Sequence, residues 1–163
     1  MSYFIVFVAV VTLSVIFLHW LSYSFLKRRI VERDSWDLNI CCGTTNGGGI
    51  NADIFQHTEL PNFVKLETIY QLPFSDNQFD TVLCSHTAEH VDDPDRFDQE
   101  LRRVGKKVYY VLPPIWDLAA AFNIREHRWV FFCVRKIHSS LPKRMRLPFA
   151  KRLQARVGQK ITA

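Results

Sequence analysis

Leu38-Asn39-Ile40-Cys41-Cys42-Gly43-Thr44, with Gly47-Gly48-Gly49 close behind, reads as a buried parallel strand running into a glycine-rich turn. The apolar run ends at Gly43, where a residue without a Cβ lets the backbone bend and approach a ligand closely. A second anchor, Leu72-Pro73-Phe74-Ser75-Asp76-Asn77-Gln78-Phe79-Asp80, reads as a turn entering another strand, Phe79 to Cys84. Ser85-His86-Thr87-Ala88-Glu89-His90-Val91 follows it, then an amphipathic helix, then a strand at residues 107–112 closed by Pro113-Pro114. Strands alternating with helical pattern in this way predict an α/β fold built on a parallel sheet.

Taken together, these motifs resemble the class I S-adenosylmethionine-dependent methyltransferases, in the compact branch where Asn-x-Asp follows the first glycine turn within about ten residues. The resemblance rests on Cys42-Gly43-Thr44, on Asn51-Ala52-Asp53, on the 72–80 segment and on Glu89-His90, and it covers residues 36–132. It implies a reduced Rossmann-like methyltransferase sheet with flanking helices, preceded here by one transmembrane helix.

That helix is read from residues 2–26, which carry no charge and are rich in Phe, Val, Ile and Leu. A bilayer crossing needs about 20 such residues. Lys27-Arg28-Arg29 follow directly, and by the positive-inside rule that cluster stays cytoplasmic. The reading is a single-pass protein of a membrane, of the bacterial inner-membrane kind, with its N-terminus outside and its domain in the cytoplasm. Tyr3, and Trp20 with Tyr23, suit the two interfacial belts. The organisation expected is a membrane helix with basic flank at 1–29, a linker at 30–35, a methyltransferase-like domain at 36–134 and a basic tail at 135–163.

Charge supports that division. The 163-residue chain carries a net +5, yet all 16 acidic residues lie between Glu32 and Glu126, and nine Lys or Arg with no acid follow from Arg135 onward. Such a tail is suited to anionic lipid or to an acidic protein surface. Nucleic acid is disfavoured, because a single aromatic residue, Phe149, stands among the tail's charges. The four cysteines, Cys41, Cys42, Cys84 and Cys133, fit no zinc spacing and suit a reduced compartment.

Along the chain the expected strands are residues 38–42, 51–54, 63–67, 79–84 and 107–112. Asp92-Asp93-Pro94 signals the start of a helix running to Val104. Residues 115–122 and 134–141 read as helical. The family's final antiparallel hairpin has no evident counterpart after Lys143.

The resemblance places a cofactor at the carboxyl ends of the strands. It implies that the backbone at Cys42, Gly43 and Thr44 meets the methionine portion of S-adenosylmethionine and that Asp53 accepts the ribose hydroxyls. A carboxylate has two oxygens for a vicinal diol; the alternative role for Asp53 is an Asx turn. Glu67 and Thr68 stand near the adenine position, and His86 lines the cleft after the fourth strand. No catalytic residue is singled out and no metal ligand set is read.

Two functions follow. The first is a non-catalytic, membrane-anchored accessory or scaffold subunit packing against other membrane protein subunits, a respiratory or photosynthetic assembly being the kind pictured. It is preferred because the departures from the family pattern concentrate at the ligand end. The second is an active methyltransferase for a lipid, quinone or isoprenoid, with Trp116, Phe122, Trp129 and Phe131 lining the acceptor pocket.

Overall fold

The computed structural model describes residues 2–33 and 35–157. Its centre is a six-stranded, mostly parallel sheet in the order β3-β2-β1-β4-β5-β7, an α/β arrangement of Rossmann-like type. The strands are β1 (Trp36–Ile40), β2 (Gly48–Asp53), β3 (Phe63–Lys65), β4 (Phe79–Ser85), β5 (Gly105–Val111) and β7 (Ile137–His138), the last antiparallel to β5. Strand order reverses between β1 and β4, which creates the crevice where such sheets bind ligands.

The β1–β2 connection is unusually short. Parallel pairing sets Trp36 beside Gly48 and Leu38 beside Ile50, so residues 41–47 must carry the chain back along the whole of β1. A five-residue strand spans about 16 Å at roughly 3.3 Å per residue. Seven residues reach only about 23 Å when extended, so no helix fits. The return segment instead lies along β1, held by side chains. Asn39 Nδ2 donates to the Thr45 carbonyl at 2.7 Å and to Asn51 Oδ1 at 3.1 Å, and the Gly47 N–H donates to Asn51 Oδ1 at 2.9 Å. Buried Asn39 and Asn51 thus do the work of a missing helix.

Helix α3 (Pro94–Val104) covers one face of the sheet. Asp93 caps it by accepting from the Asp95 and Arg96 N–H groups, and Pro94 supplies the first turn. Its Phe97, Leu101 and Val104 are fully buried with Leu38, Ile40, Val82 and Cys84. Arg103 donates to the Leu72 and Phe74 carbonyls while Glu100 accepts the Leu72 N–H, so the 72–76 turn is clamped to the helix. A separate cluster on alternate sheet positions gathers Leu83 and Val111 with Trp36 and Val31.

Several expectations need correction. β1 stops at Ile40, two residues early, because Cys41 takes a left-handed φ of +51°. β2 begins at Gly48, and β3 ends at Lys65. The helix expected at 115–122 shrinks to α4 (Leu118–Ala121). Residues 134–141 are not helical: β7 lies inside them, recruited by the open edge of β5. A second antiparallel pair, β6 (Trp129–Phe131) with β8 (Arg144–Arg146), answers the apparent lack of late strands.

Residues 30–35 are not simply a linker. Helix α1 (Ser2–Trp20) passes through a π-helical segment (Leu21–Leu26) into α2 (Lys27–Arg33), and Val31 is buried in the domain. Among the described residues this is the one helix long and apolar enough to cross a membrane, by length and composition. Nor is the basic segment a free tail. Helix α5 (Ala150–Val157) lies in it; Arg144 pairs with Asp95 at 2.5 Å and Lys151 with Asp92 at 3.1 Å. Residues 158–163 of that expected tail lie outside the described residues.

Candidate functional site

Two groups of side chains sit at the carboxyl edge of the sheet. The first joins β1 to β2. After Cys41, the chain reaches Gly43 with φ +55°, and the Gly43 N–H donates to Asp53 Oδ2 at 2.8 Å. A Cβ built on Gly43 would meet nothing within 4 Å, so the glycine is needed for its left-handed backbone and the space beside it is open. Asp53 Oδ1 accepts the Phe55 N–H at 3.4 Å, which is the Asx-turn geometry. Asp53 is 8% exposed, with two backbone donors on its oxygens. A carboxylate has about four acceptor positions, so a diol would share these oxygens with the backbone.

Of the sequence-predicted residues, Cys42, Gly43 and Asp53 are therefore brought together, with Cys42 buried and Thr44 exposed on the turn. Beside that turn is a cavity of about 500 Å³, walled by Tyr23, Lys27 and Val31 of the helix and by Thr44, Thr45 and Asn46. That volume lies within the range of small-molecule sites. Neither Gly43 nor Asp53 lines that cavity, which adjoins their turn through Thr44. Glu67 is exposed beyond β3, and Thr68 Oγ1 is committed to its own turn, accepting the Tyr70 N–H at 3.2 Å.

His86 joins a second group instead. Its backbone is also left-handed, with φ +54°, and its N–H donates to the Val111 carbonyl, so the turn after β4 is latched to β5. The ring stands between Glu89 and Lys136: Nδ1 is 3.1 Å from Glu89 Oε1 and Nε2 is 2.8 Å from Lys136 Nζ. An ammonium can only donate, so Nε2 accepts and Nδ1 carries the proton toward the carboxylate. Lys136 Nζ also donates to Ser22 Oγ at 2.9 Å, and the Tyr23 ring meets His86 edge-on. The relay Ser22, Lys136, His86, Glu89 thus ties the N-terminal helix to the end of β4. His19 Nδ1 adds a contact with buried Asp117 at 3.1 Å.

The electrostatics follow from burial. Burial pushes His86 down to about 4, with the Lys136 and Lys27 charges acting the same way, so the ring is neutral at physiological pH. Burial also lowers Lys136 to about 8, against the attraction of Glu89 and Asp117. Burial alone would raise Glu89, but the hydrogen bond from His86 and the fields of His86, His90 and His127 outweigh it and keep the carboxyl below its ordinary range. Of the two sides of the His86–Glu89 contact, neutral histidine with ionised Glu89 is the consistent assignment, the lysine supplying the positive charge.

Sequence reasoning missed Lys136 and Ser22. Lys136 lay in a presumed helix and Ser22 in a presumed membrane span; only the strand pairing of β7 with β5 brings one to the other. The aromatic residues expected to form an acceptor pocket do not share one: Phe131 is buried in the core, and the Trp129 indole N–H donates to the Val91 carbonyl. Exposed Leu118, Phe122 and Ile124 instead make an apolar patch on and just after α4, the element that touches α1.

With this geometry in hand, the family model of the methyltransferase domain matches residues 51–110, from β2 through β5. No curated protein matches the chain. Among solved structures the chain is similar to a S-adenosylmethionine-dependent methyltransferase of Thermotoga maritima, at 18% identity over 74% of this chain and 71% of that one, TM-score 0.49. It is similar to the YcgJ protein of Bacillus subtilis at 18% identity over 62% of this chain and 59% of that one, TM-score 0.45. It is also similar to a chain from the complex between the Haloferax volcanii Trm112 methyltransferase activator and a methyltransferase, at 19% identity, covering 56% and 51%, TM-score 0.41. The chain therefore spans about half to seven-tenths of the length of these structures.

Proposed function

We propose that this chain is a membrane-tethered S-adenosylmethionine-dependent methyltransferase of the class I type, acting on an apolar acceptor drawn from the bilayer surface. The observation that carries the reading is the buried group at the end of β4. Glu89 and Lys136 are almost wholly removed from water, with the His86 ring between them, and buried charges of opposite sign are often no more stable than apolar packing of the same volume. They tie the N-terminal helix to the domain, and breaches of packing logic of this kind gather at working sites. The match to the methyltransferase domain supports the reaction class.

In this reading the Gly43 turn and Asp53 hold the cofactor, which supplies the electrophilic methyl group when bound. His86 is a neutral ring beside the crevice whose proton on Nδ1 is fixed toward Glu89; it orients the turn and does not take a proton from the acceptor. Positioning supplies most of the acceleration available to such a transfer. The N-terminal helix is an anchor, with the domain on the side of Lys27, Arg28 and Arg29. The apolar patch of Leu118, Phe122 and Ile124 faces the same membrane and brings the acceptor within reach.

The test is methyl transfer by the full chain in lipid vesicles, with methyl-labelled S-adenosylmethionine and a lipid and quinone extract. Label should enter the organic phase and be lost with Asp53→Ala. A second reading, the accessory subunit, is favoured by one observation: Asp53 is nearly buried and the cytoplasmic end of the helix is seated over the strand ends. Absence of label together with recovery of a stable complex from native membranes would select it.

A further inference from the structure

We propose that Glu89, His90 and His127 form a binding site for one divalent transition-metal ion, with zinc the best fit. The inference is independent of whether methyl transfer occurs.

The ligand atoms of these three residues lie within 4.8 Å of one another. Two of the residues are buried with unused acceptor atoms. Glu89 is 0% exposed, and neither of its carboxylate oxygens meets a hydrogen-bond donor in good geometry; His127 is 4% exposed, and its Nδ1 has no partner either. A buried polar atom left unpaired is costly and calls for an explanation.

His90 is set up as a ligand by what holds its other nitrogen. His90 Nδ1 lies 3.0 Å from the Glu126 carbonyl, which can only accept, so Nδ1 is protonated and Nε2 presents a lone pair. A metal-bound imidazole ordinarily donates its far N–H to a carbonyl or carboxylate in this way. His127 Nδ1 is buried without a hydrogen-bond partner, which leaves it as that ring's candidate ligand atom. The two rings are nearly perpendicular, at 86° with centroids 4.7 Å apart, so both lone pairs can converge without stacking. His86 Nδ1 stands 3.1 Å from Glu89 Oε1, on the other side of the carboxylate from Oε2.

The backbone fixes the same meeting point. The Glu89 carbonyl accepts both the Arg128 and Trp129 N–H groups, at 2.7 and 3.1 Å, which pins the segment carrying His127 to the turn carrying Glu89 and His90. Two imidazoles and one carboxylate, with a coordination position left open, suit zinc and disfavour magnesium or calcium, which prefer oxygen ligands.

The test uses the full chain purified in detergent and stripped with a chelator. Dialysis against zinc should return one ion per chain and raise the melting temperature, and cobalt substitution should give the visible absorption of a low-coordinate site. Glu89→Gln and His127→Ala should lose the ion, while His57→Ala, on an exposed loop, should keep it. Failure of the wild-type chain to retain zinc, or equal retention by His127→Ala, overturns the proposal. Should the variants not fold, X-ray absorption at the zinc edge of the wild type decides: imidazole and oxygen scattering supports the site, whereas sulfur at about 2.3 Å moves the ion to cysteine and overturns it.

Discussion

At the scale of single residues, Gly47 shows how closely the return segment lies on β1. A Cβ added there would stand 2.6 Å from the Asn39 Cβ, on a side chain already committed to the Thr45 carbonyl and Asn51. Gly47→Ala is expected to cost about 1–3 kcal/mol, the usual range for overpacking, read as a lower denaturation midpoint. Lys136 gives a pH signature. Its folded-state pKa is lowered to about 8 while the unfolded chain keeps the proton to about 10.5. Between those values the unfolded state binds more protons, so stability must rise as pH rises through that window. Below about 8 the cost of the buried ammonium is felt in full. A melting-temperature profile from pH 7 to 11 should show this gain in the wild type and a flatter curve in Lys136→Met.

At the scale of elements, the N-terminal helix belongs to the domain as much as to any membrane. Ser22 is fully buried, and its hydroxyl accepts from Lys136; Val31 is packed with Trp36, Leu83 and Val111. A chain shortened to begin at Val31 is therefore expected to melt lower than the full chain. Ser22→Ala alone should account for about 1–3 kcal/mol, the cost of leaving a buried donor unpaired. Helix α3 was legible in the sequence because its signals are local: Asp93 and Pro94 at the start, then Phe97, Leu101 and Val104 on one face. β7 was not, because two residues carry no periodicity, and Ile137 and His138 become a strand only by pairing with Val111 and Tyr110. The helix-like spacing of Val134, Ile137 and Leu141 marks no common buried face, since Val134 is exposed. The connector was misread for a related reason: Arg28 and Glu32 form an exposed ion pair that makes it look polar, while Val31 behind them is buried.

At the scale of the molecule, the contrast between an acidic domain and a basic C-terminal segment is met in part within the chain. Asp92 and Asp95 at the start of α3 pair with Lys151 and Arg144, so those charges are not a free lure for lipid. The parallel α/β sheet was readable from the two anchors; Gly43 and Asp53 were each singled out, but the hydrogen bond that joins them was not. The second group was not readable as a unit: Ser22, the His86–Glu89 turn, His127 and Lys136 come from four separate stretches, and only the fold collects them. The Gly43 turn joined to Asp53 at the ends of β1 and β2 is what makes cofactor binding the central claim. The most direct test is calorimetric titration of the full chain in detergent with S-adenosylmethionine, alongside Asp53→Ala and with folding checked by melting. The account predicts saturable binding to the wild type at one site and its loss in the variant; a folded wild type that takes up no S-adenosylmethionine, or a variant that binds it equally well, would contradict it.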